Sequence, residues 1–544
     1  MCADLPGPCL HECPPEVSIV QPQTGPPLTN RLNRLGPVFW LSVALSALFV
    51  LWGVLSPGSQ TTAMSTAMNW ITAKFGWVYL TVPLLLLVFL VFLAFSRYGR
   101  IRLGSDTDRP EFTTHTWIAM ILCAVMGIGL VSYGVAEPIS HFTTPPHGLA
   151  EPGGDDAAVL ALQYSFYDWG LHAWAVFAVF GLAIGYSTHR KGRPGLISSL
   201  FTPLLGRRVH GPAGKAIDVF TVFATLFGTT TSLGLGAMQI DSGLAGVTGS
   251  ASGSTVQIAI IIVTTLLFTA SAVSGLHRGI RFLSETSLSL AVVLFVFVAA
   301  AGSTVLLASL FLESVGTYIS DFVRMSTRGA AFGDLGWMQS WTYFMMAWWV
   351  AWGAFVGVFL ARISRGRTIR EFIGVVLLVP SLAFFAWFTV FGGSAIVTDL
   401  HQGGAIGAAA AADLNDAFPA LLATLPLPEV TTALLVLIAA MFFVSGADAN
   451  TFVLGMLTSD GDQRPRRRVL VIWGAMTGLL AIILLLSGGL AALQQMVIVS
   501  SAPFLIVLAG LLAAFWKDLR SDPAVRAPKK EKEEEPVPVP AGRE

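Results

Sequence analysis

The sequence predicts an all-α polytopic membrane protein with about twelve transmembrane helices. Three observations carry that prediction. The mean hydropathy is +0.70. Charged residues make up 12% of the chain, about half of the roughly 25% found in soluble domains. The apolar runs are long and continuous, whereas a transmembrane barrel alternates apolar and polar residues in segments of about ten. Together these exclude an ordinary soluble enzyme. The formal net charge is zero, so nothing draws the chain to nucleic acid in bulk. The expected partners are the lipid bilayer and a small molecule, with no nucleic acid.

From the N-terminus, residues 1–35 are polar and rich in proline and read as a disordered cytoplasmic segment. The first apolar run starts near Pro37 and is long enough to span, unlike a secretory signal. Cys9, His11 and Cys13 lie in this head without a second ligand pair, so no structural metal site is expected there. Spans follow at about 36–56, 76–96, 115–139, 157–187, 216–238, 255–275, 282–310, 337–360, 371–393, 430–450, 469–489 and 496–516, on the criterion of roughly 20 apolar residues each. Two further stretches read as surface elements. Residues 314–326 form an amphipathic helix, and 403–426 a helical hairpin or lid. Residues 517–544 read as a charged, disordered cytoplasmic tail. Its five prolines disfavour a long helix, and weak or absent osmotic activation is expected.

Basic residues fix the orientation. Five alternate loops carry twenty Lys and Arg, while the others hold only Lys74, Arg324 and Arg328. Positive charge stays on the cytoplasmic side, so both termini are expected there, in a multi-pass plasma (inner) membrane protein. No Walker A loop, HExxH or GxSxG motif occurs, and enzyme chemistry is not expected.

The chemistry-bearing residues cluster where helices are interrupted. In AVMGIGLVSYGVAEP (124–138), Gly127, Gly129 and Gly134 interrupt the third span and Glu137-Pro138 closes it. Inside a bilayer, freed backbone groups are tolerated only against protein or a water-filled cavity. Close helix packing through small residues is one reading; a broken helix that offers backbone groups to a ligand is the other. In YDWGLHAWAVF (167–177), Trp174 and Phe177 share a helix face with Trp169 in reach. The eighth span carries Trp348, Trp349 and Trp352 just before four arginines within nine residues. Indoles anchor helices at interfaces, and they also attract cations, by about 0.5–2 kcal/mol per ring. A quaternary ammonium, which cannot donate N–H hydrogen bonds, suits such a cage. Glu137 and Asp448 are ionisable residues in or near the membrane, where function or helix capping can explain them.

These residues resemble the betaine/carnitine/choline transporter (BCCT) family. The resemblance covers roughly 36–516, and its most specific pieces are GIGLVSYGVAEP, DWGLHAWAVF, ATLFGTTTSLGLGA (224–237), WWVAWGAFVGVFLARISRGRTIREF and WFTVFGG (387–393). It implies a leucine-transporter-type fold with inverted five-helix repeats in spans 3–7 and 8–12, a homotrimer, and alternating access. It implies an aromatic box of Trp169, Trp174, Phe177 and Trp349, with Phe177 replacing a tyrosine. Trp348 and Trp352 match the permeation path, and Met126, Gly127 and Gly129 border the substrate. One sodium site would use Thr225 and Thr229. A second would use backbone carbonyls of Cys123, Met126 and Phe442 and the Ser445 hydroxyl, where a Thr-Ser pair has become Ser445-Gly446. An arginine typical of the sodium-independent antiporter is absent, since Leu288 stands there. The implied activity is cation-coupled uptake of a quaternary-ammonium compatible solute for osmoprotection, with no cofactor and with Na+ (alternatively H+) as coupling ion. Glycine betaine is the first expectation. Choline, carnitine, ectoine, dimethylsulfoniopropionate, or a non-transporting betaine sensor are the alternatives.

Overall fold

Each helix of a membrane span must satisfy its own backbone hydrogen bonds, because lipid supplies no partners. In the computed structural model, which describes residues 35–275, 277–331 and 333–525, ten helices are long and apolar enough to cross a bilayer. The longest, Arg467–Arg520, bends at Gly488 and Gly489 and supplies two crossings. Gly489 has φ 57° and ψ −134°, a conformation open mainly to glycine. The third crossing is split into Thr114–Val125 and Ile128–Thr143, each half too short to count alone. Twelve crossings result, as the apolar runs predict. Among the described residues there is no strand, only an isolated bridge between Arg102 and Thr368.

Several boundaries differ from those expected, each for a local reason. The second span begins at Pro57 and runs 39 residues to Phe95, where the hydropathy places its start near 76. Proline favours a first helical turn, and Thr61, Thr62 and Thr66 turn their hydroxyls back onto the carbonyls of Pro57, Gly58 and Thr62. A polar-looking stretch thereby becomes helix. The amphipathic element at 314–326 is the end of a longer helix, Thr304–Ser320, followed by Phe322–Thr327. The hairpin at 403–426 consists of Ala405–Ala412 and Ala417–Ala423. Asp399 caps the first of these, accepting from Ile406 N and Gly407 N at 2.9 and 2.6 Å. Residues 1–34 and 526–544 lie outside the described residues, and with them most of the expected disordered ends.

The interior is built by close approach. The second half of span 4, Leu171–Gly185, packs along span 8, Thr342–Ile363, and span 5, Pro212–Thr248, packs against spans 10 and 12. A Cβ at Gly357 would collide with Phe180, which is how small residues bring membrane helices together. π-helical turns occur at Tyr186–Arg190 in span 4 and Thr389–Gly393 in span 9, the second helix of each expected five-helix set.

The last helix continues past 517, where a disordered tail is expected, and residues up to 525 are ordered. Ion pairs explain the difference. Arg190 donates to both oxygens of Asp522 at 2.6 and 2.7 Å, and the Tyr186 hydroxyl donates to the same carboxylate at 2.6 Å. Arg193 pairs with Asp518. Arg190 also reaches Asp106 at 2.7 Å and Gly104 O at 2.9 Å. One guanidinium thus ties the loop after span 2, the end of span 4 and the end of span 12. Burial pushes the Asp522 carboxyl up, but the hydrogen bonds from Arg190, Tyr186 and Ala524 N–H outweigh it and hold it below the usual carboxylate range. A carboxyl held low adds stability above its unfolded-state value, and the gain disappears as pH falls through the folded value. Asp522→Asn is expected to cost about 1.5–3 kcal/mol, as for a lost charged hydrogen bond. Thermal unfolding of the purified protein should show a lower midpoint for the variant at neutral pH, and the difference should vanish in strong acid.

Candidate functional site

The site begins with three helix breaks. In span 3 the chain leaves helix at Met126 and Gly127, with Gly127 extended at φ −145°, ψ −173°. The new helix at Ile128 turns its first N–H groups, the positive end of its dipole, towards the break. In span 4 the break is Gly170, at φ −92°, ψ −133°. It separates Trp169, which ends one half, from Trp174 and Phe177 on the other. In span 8 a kink at Trp341 precedes the segment with Trp348, Trp349 and Trp352.

These breaks gather the aromatic residues. Trp169 meets Trp349 at 4.9 Å between ring centroids and Trp349 meets Phe177 at 5.9 Å. Phe177 meets Trp174 at 5.4 Å, and Phe384 of span 9 touches Trp174 at 5.6 Å and Trp169 at 5.9 Å. The five rings form a closed circuit. Neighbouring centroids in the circuit are 4.9–5.9 Å apart, and cation–π attraction acts within roughly 6 Å of a ring centroid. Four of the five were expected from sequence. Phe384 was not, because VPSLAFFAWF (379–388) looks like any apolar helix.

The other predicted residues fall in two groups. Trp348 stacks on Trp349 at 5.5 Å, and its indole donates to Gly228 O at 3.3 Å. Trp352 lies against Gly228 and faces Phe355 rather than the circuit. Gly129 is wedged between Trp169 and Trp348, each of which would sit 3.1 Å from an added Cβ. The start of the second half of span 3 therefore borders the aromatic circuit. Gly134 faces Trp387, whose indole donates to Leu130 O at 3.1 Å.

The hydroxyls expected at the ion sites are partly engaged by protein. Thr229 donates to Thr225 O at 2.7 Å, and its oxygen accepts from the Asn450 amide. The Thr225 hydroxyl is buried without a partner. Ser445 donates to Phe442 O at 3.2 Å, and nothing lies within 4 Å of where a Gly446 Cβ would be. Cys123 lies in the last turn before the span 3 break. Asp448 is buried between spans and accepts from Ser271 at 2.7 Å.

Beside the circuit stands a polar group that the sequence only half reveals. Glu137 and His141 share a face of span 3, and Asp168 precedes Trp169 on span 4. All three are fully buried. The Trp169 indole donates to Glu137 Oε2 at 2.7 Å, and the Trp349 indole donates to Asp168 O at 2.7 Å. Two walls of the circuit thus hang on two acidic residues. Glu137 stood out as an intramembrane acid, while His141 and Asp168 look like ordinary polar residues at helix ends.

Comparison with known proteins finds relatives along nearly the whole chain. A family model described as the BCCT, betaine/carnitine/choline family transporter, matches residues 37–524. The glycine betaine transporter OpuD of Bacillus subtilis is 45% identical over 497 residues, covering 90% of this chain and 96% of its own. A probable glycine betaine transporter of Desulfitobacterium hafniense is 43% identical, covering 90% and 98%. The betaine/ectoine transporter LcoP of Corynebacterium glutamicum is 39% identical, covering 91% and 79%.

Glycine positions test the packing of the site. A Cβ at Gly134 would lie 2.6 Å from Trp387 Nε1, against 3.1 Å for the nearest atoms at Gly129, so Gly134→Ala should cost about 1–3 kcal/mol as overpacking. Thermal unfolding should show Gly134→Ala to be the more destabilising of the two alanine variants.

Proposed function

The chain belongs to the betaine/carnitine/choline transporter family, and from that premise we propose that it imports a quaternary-ammonium compatible solute, glycine betaine first, in symport with Na+ or H+. It is a multi-pass membrane transporter, and transport in this family is cation-coupled. The closed circuit of five aromatic rings carries the reading of the solute. Trimethylammonium has no N–H to donate and loses little by leaving water for aromatic faces. The carboxylate of betaine finds complementary charge at the helix N-terminus beginning at Ile128, next to Trp169 and Trp348. The buried Trp174 indole N–H has no protein partner and is a second donor for that end.

In this reading the Arg-rich loops and both termini face the cytoplasm of the plasma membrane, and the breaks at 126–127 and 170 let each half-helix tilt during alternating access. Thr225 and Thr229, together with carbonyls of Cys123, Met126 and Phe442 and the Ser445 hydroxyl, supply hard oxygen ligands of the kind sodium takes. The family resemblance supports a homotrimer.

The test is uptake of radiolabelled glycine betaine into proteoliposomes under separate inward sodium and proton gradients. Accumulation under one gradient is expected; none under either, with choline or ectoine accumulating instead, would replace the solute. Losing one aromatic face forfeits about 1–2 kcal/mol, so Trp349→Leu should raise the apparent KM for betaine about five- to thirtyfold. Its surface expression should persist, and unchanged kinetics would remove the cage from the mechanism.

A further inference from the structure

Glu137, His141 and Asp168 each present a ligand atom, and these atoms all lie within 4.8 Å of one another. Glu137 Oε1 and His141 Nε2 are 3.7 Å apart, too far for a hydrogen bond. Glu137 Oε1, both Asp168 oxygens and both His141 nitrogens have no partner within hydrogen-bond distance, and neither have the neighbouring Tyr133 and Tyr167 hydroxyls; the Thr342 side chain stands nearest to Asp168 and the Gln494 side chain to Tyr133. Among the described residues no lysine or arginine pairs with either acid. Buried polar atoms normally have partners, and two buried carboxylates without counter-charge repel each other and lack solvation. Atoms that converge without touching leave room for something positive between them.

We propose that Glu137, His141 and Asp168 form a binding site for the coupling cation, a small monovalent ion that neutralises the carboxylate pair, and that filling it sets the position of the aromatic cage. The inference rests on the reading of the chain as a cation-coupled carrier. Sodium and a proton share the chemistry, and the experiment separates them. The site shares no residue with the Thr225/Thr229 pair or the Ser445 group. Its link to the solute is direct. Glu137 holds Trp169 by its side chain and Asp168 holds Trp349 by its carbonyl. A cation drawing the two acids together would move the two indoles with them. An empty site would let the acids and the cage walls separate. Such a link makes solute and cation binding mutually reinforcing, as coupled transport requires.

Other titratable groups face the trio. Tyr133 is on the same helix, Tyr164 and Tyr167 are on span 4, and His147 lies in the following loop near Arg328 and Asp334. His172 packs on Tyr167 at 4.7 Å.

The experiment uses the purified full-length protein in lipid nanodiscs. Intrinsic tryptophan fluorescence and the thermal midpoint are followed as sodium replaces potassium at constant ionic strength, and separately as pH is lowered. A cation bound only by the folded state raises the midpoint by mass action. The wild type should respond to one of the two cations, and Glu137→Gln and Asp168→Asn should each abolish that response or shift it about tenfold in cation concentration. Both variants keep side-chain volume and remove a buried charge, so a monodisperse, folded protein is expected. His141→Gln is the further check, with the same loss or shift expected. A wild type insensitive to both cations would overturn the proposal, as would a response that survives in all three variants. Added glycine betaine is measured in the same samples. If it changes nothing while the cation response depends on the trio, the identity of the solute is overturned and the cation site stands.

Discussion

The backbone of a membrane helix has nowhere to hydrogen-bond except itself or neighbouring protein, and this constraint organises the whole molecule. Every interruption is expensive unless protein covers it, so interruptions mark places where an exposed backbone group or a new direction is needed. Here they fall at 126–127, 170, 341 and 488–489. Two of the four, at 126–127 and 170, lie beside one aromatic circuit. Gly170 shows the effect most simply. It redirects the chain so that Trp169 and Trp174, five residues apart, become two walls of the same circuit.

The circuit also depends on polar anchors. An indole packed among rings can rotate, and rotation would close or open the space it lines. Trp169, Trp348 and Trp349 are each fixed by a hydrogen bond to Glu137, Gly228 O and Asp168 O. Their partners sit on three different spans, 3, 5 and 4. A relative movement of those spans therefore changes the geometry of the circuit. The opposing end of the molecule is held differently, by Arg190 bridging Asp522 and Asp106, a contact between loops and helix ends rather than within the bilayer.

The family match and the membrane-spanning part of the chain coincide. The family match extends over 37–524, the same stretch that holds all twelve crossings. The cage, the split third span and the span 5 hydroxyls all lie inside it. Ser445 donates its hydroxyl to Phe442 O, and nothing lies within 4 Å of where a Gly446 Cβ would be.

Most of the architecture was legible in the sequence because hydropathy and helix length act locally: a run of about 20 apolar residues spans a bilayer whatever its neighbours are. The identity of four rings of the circuit was legible too, since Trp169, Trp174, Phe177 and Trp349 stand in distinctive motifs. Local signals failed where hydroxyls disguised a helix, as at the start of span 2, and where ion pairs between distant segments extended order past 517. Only the tertiary structure closed the circuit with Phe384, engaged Thr229 with Asn450, and brought Asp168 and His141 to Glu137. Those contacts join residues far apart in the chain. Their existence depends on how helices pack and where they break, and hydropathy along a single helix carries no information about either.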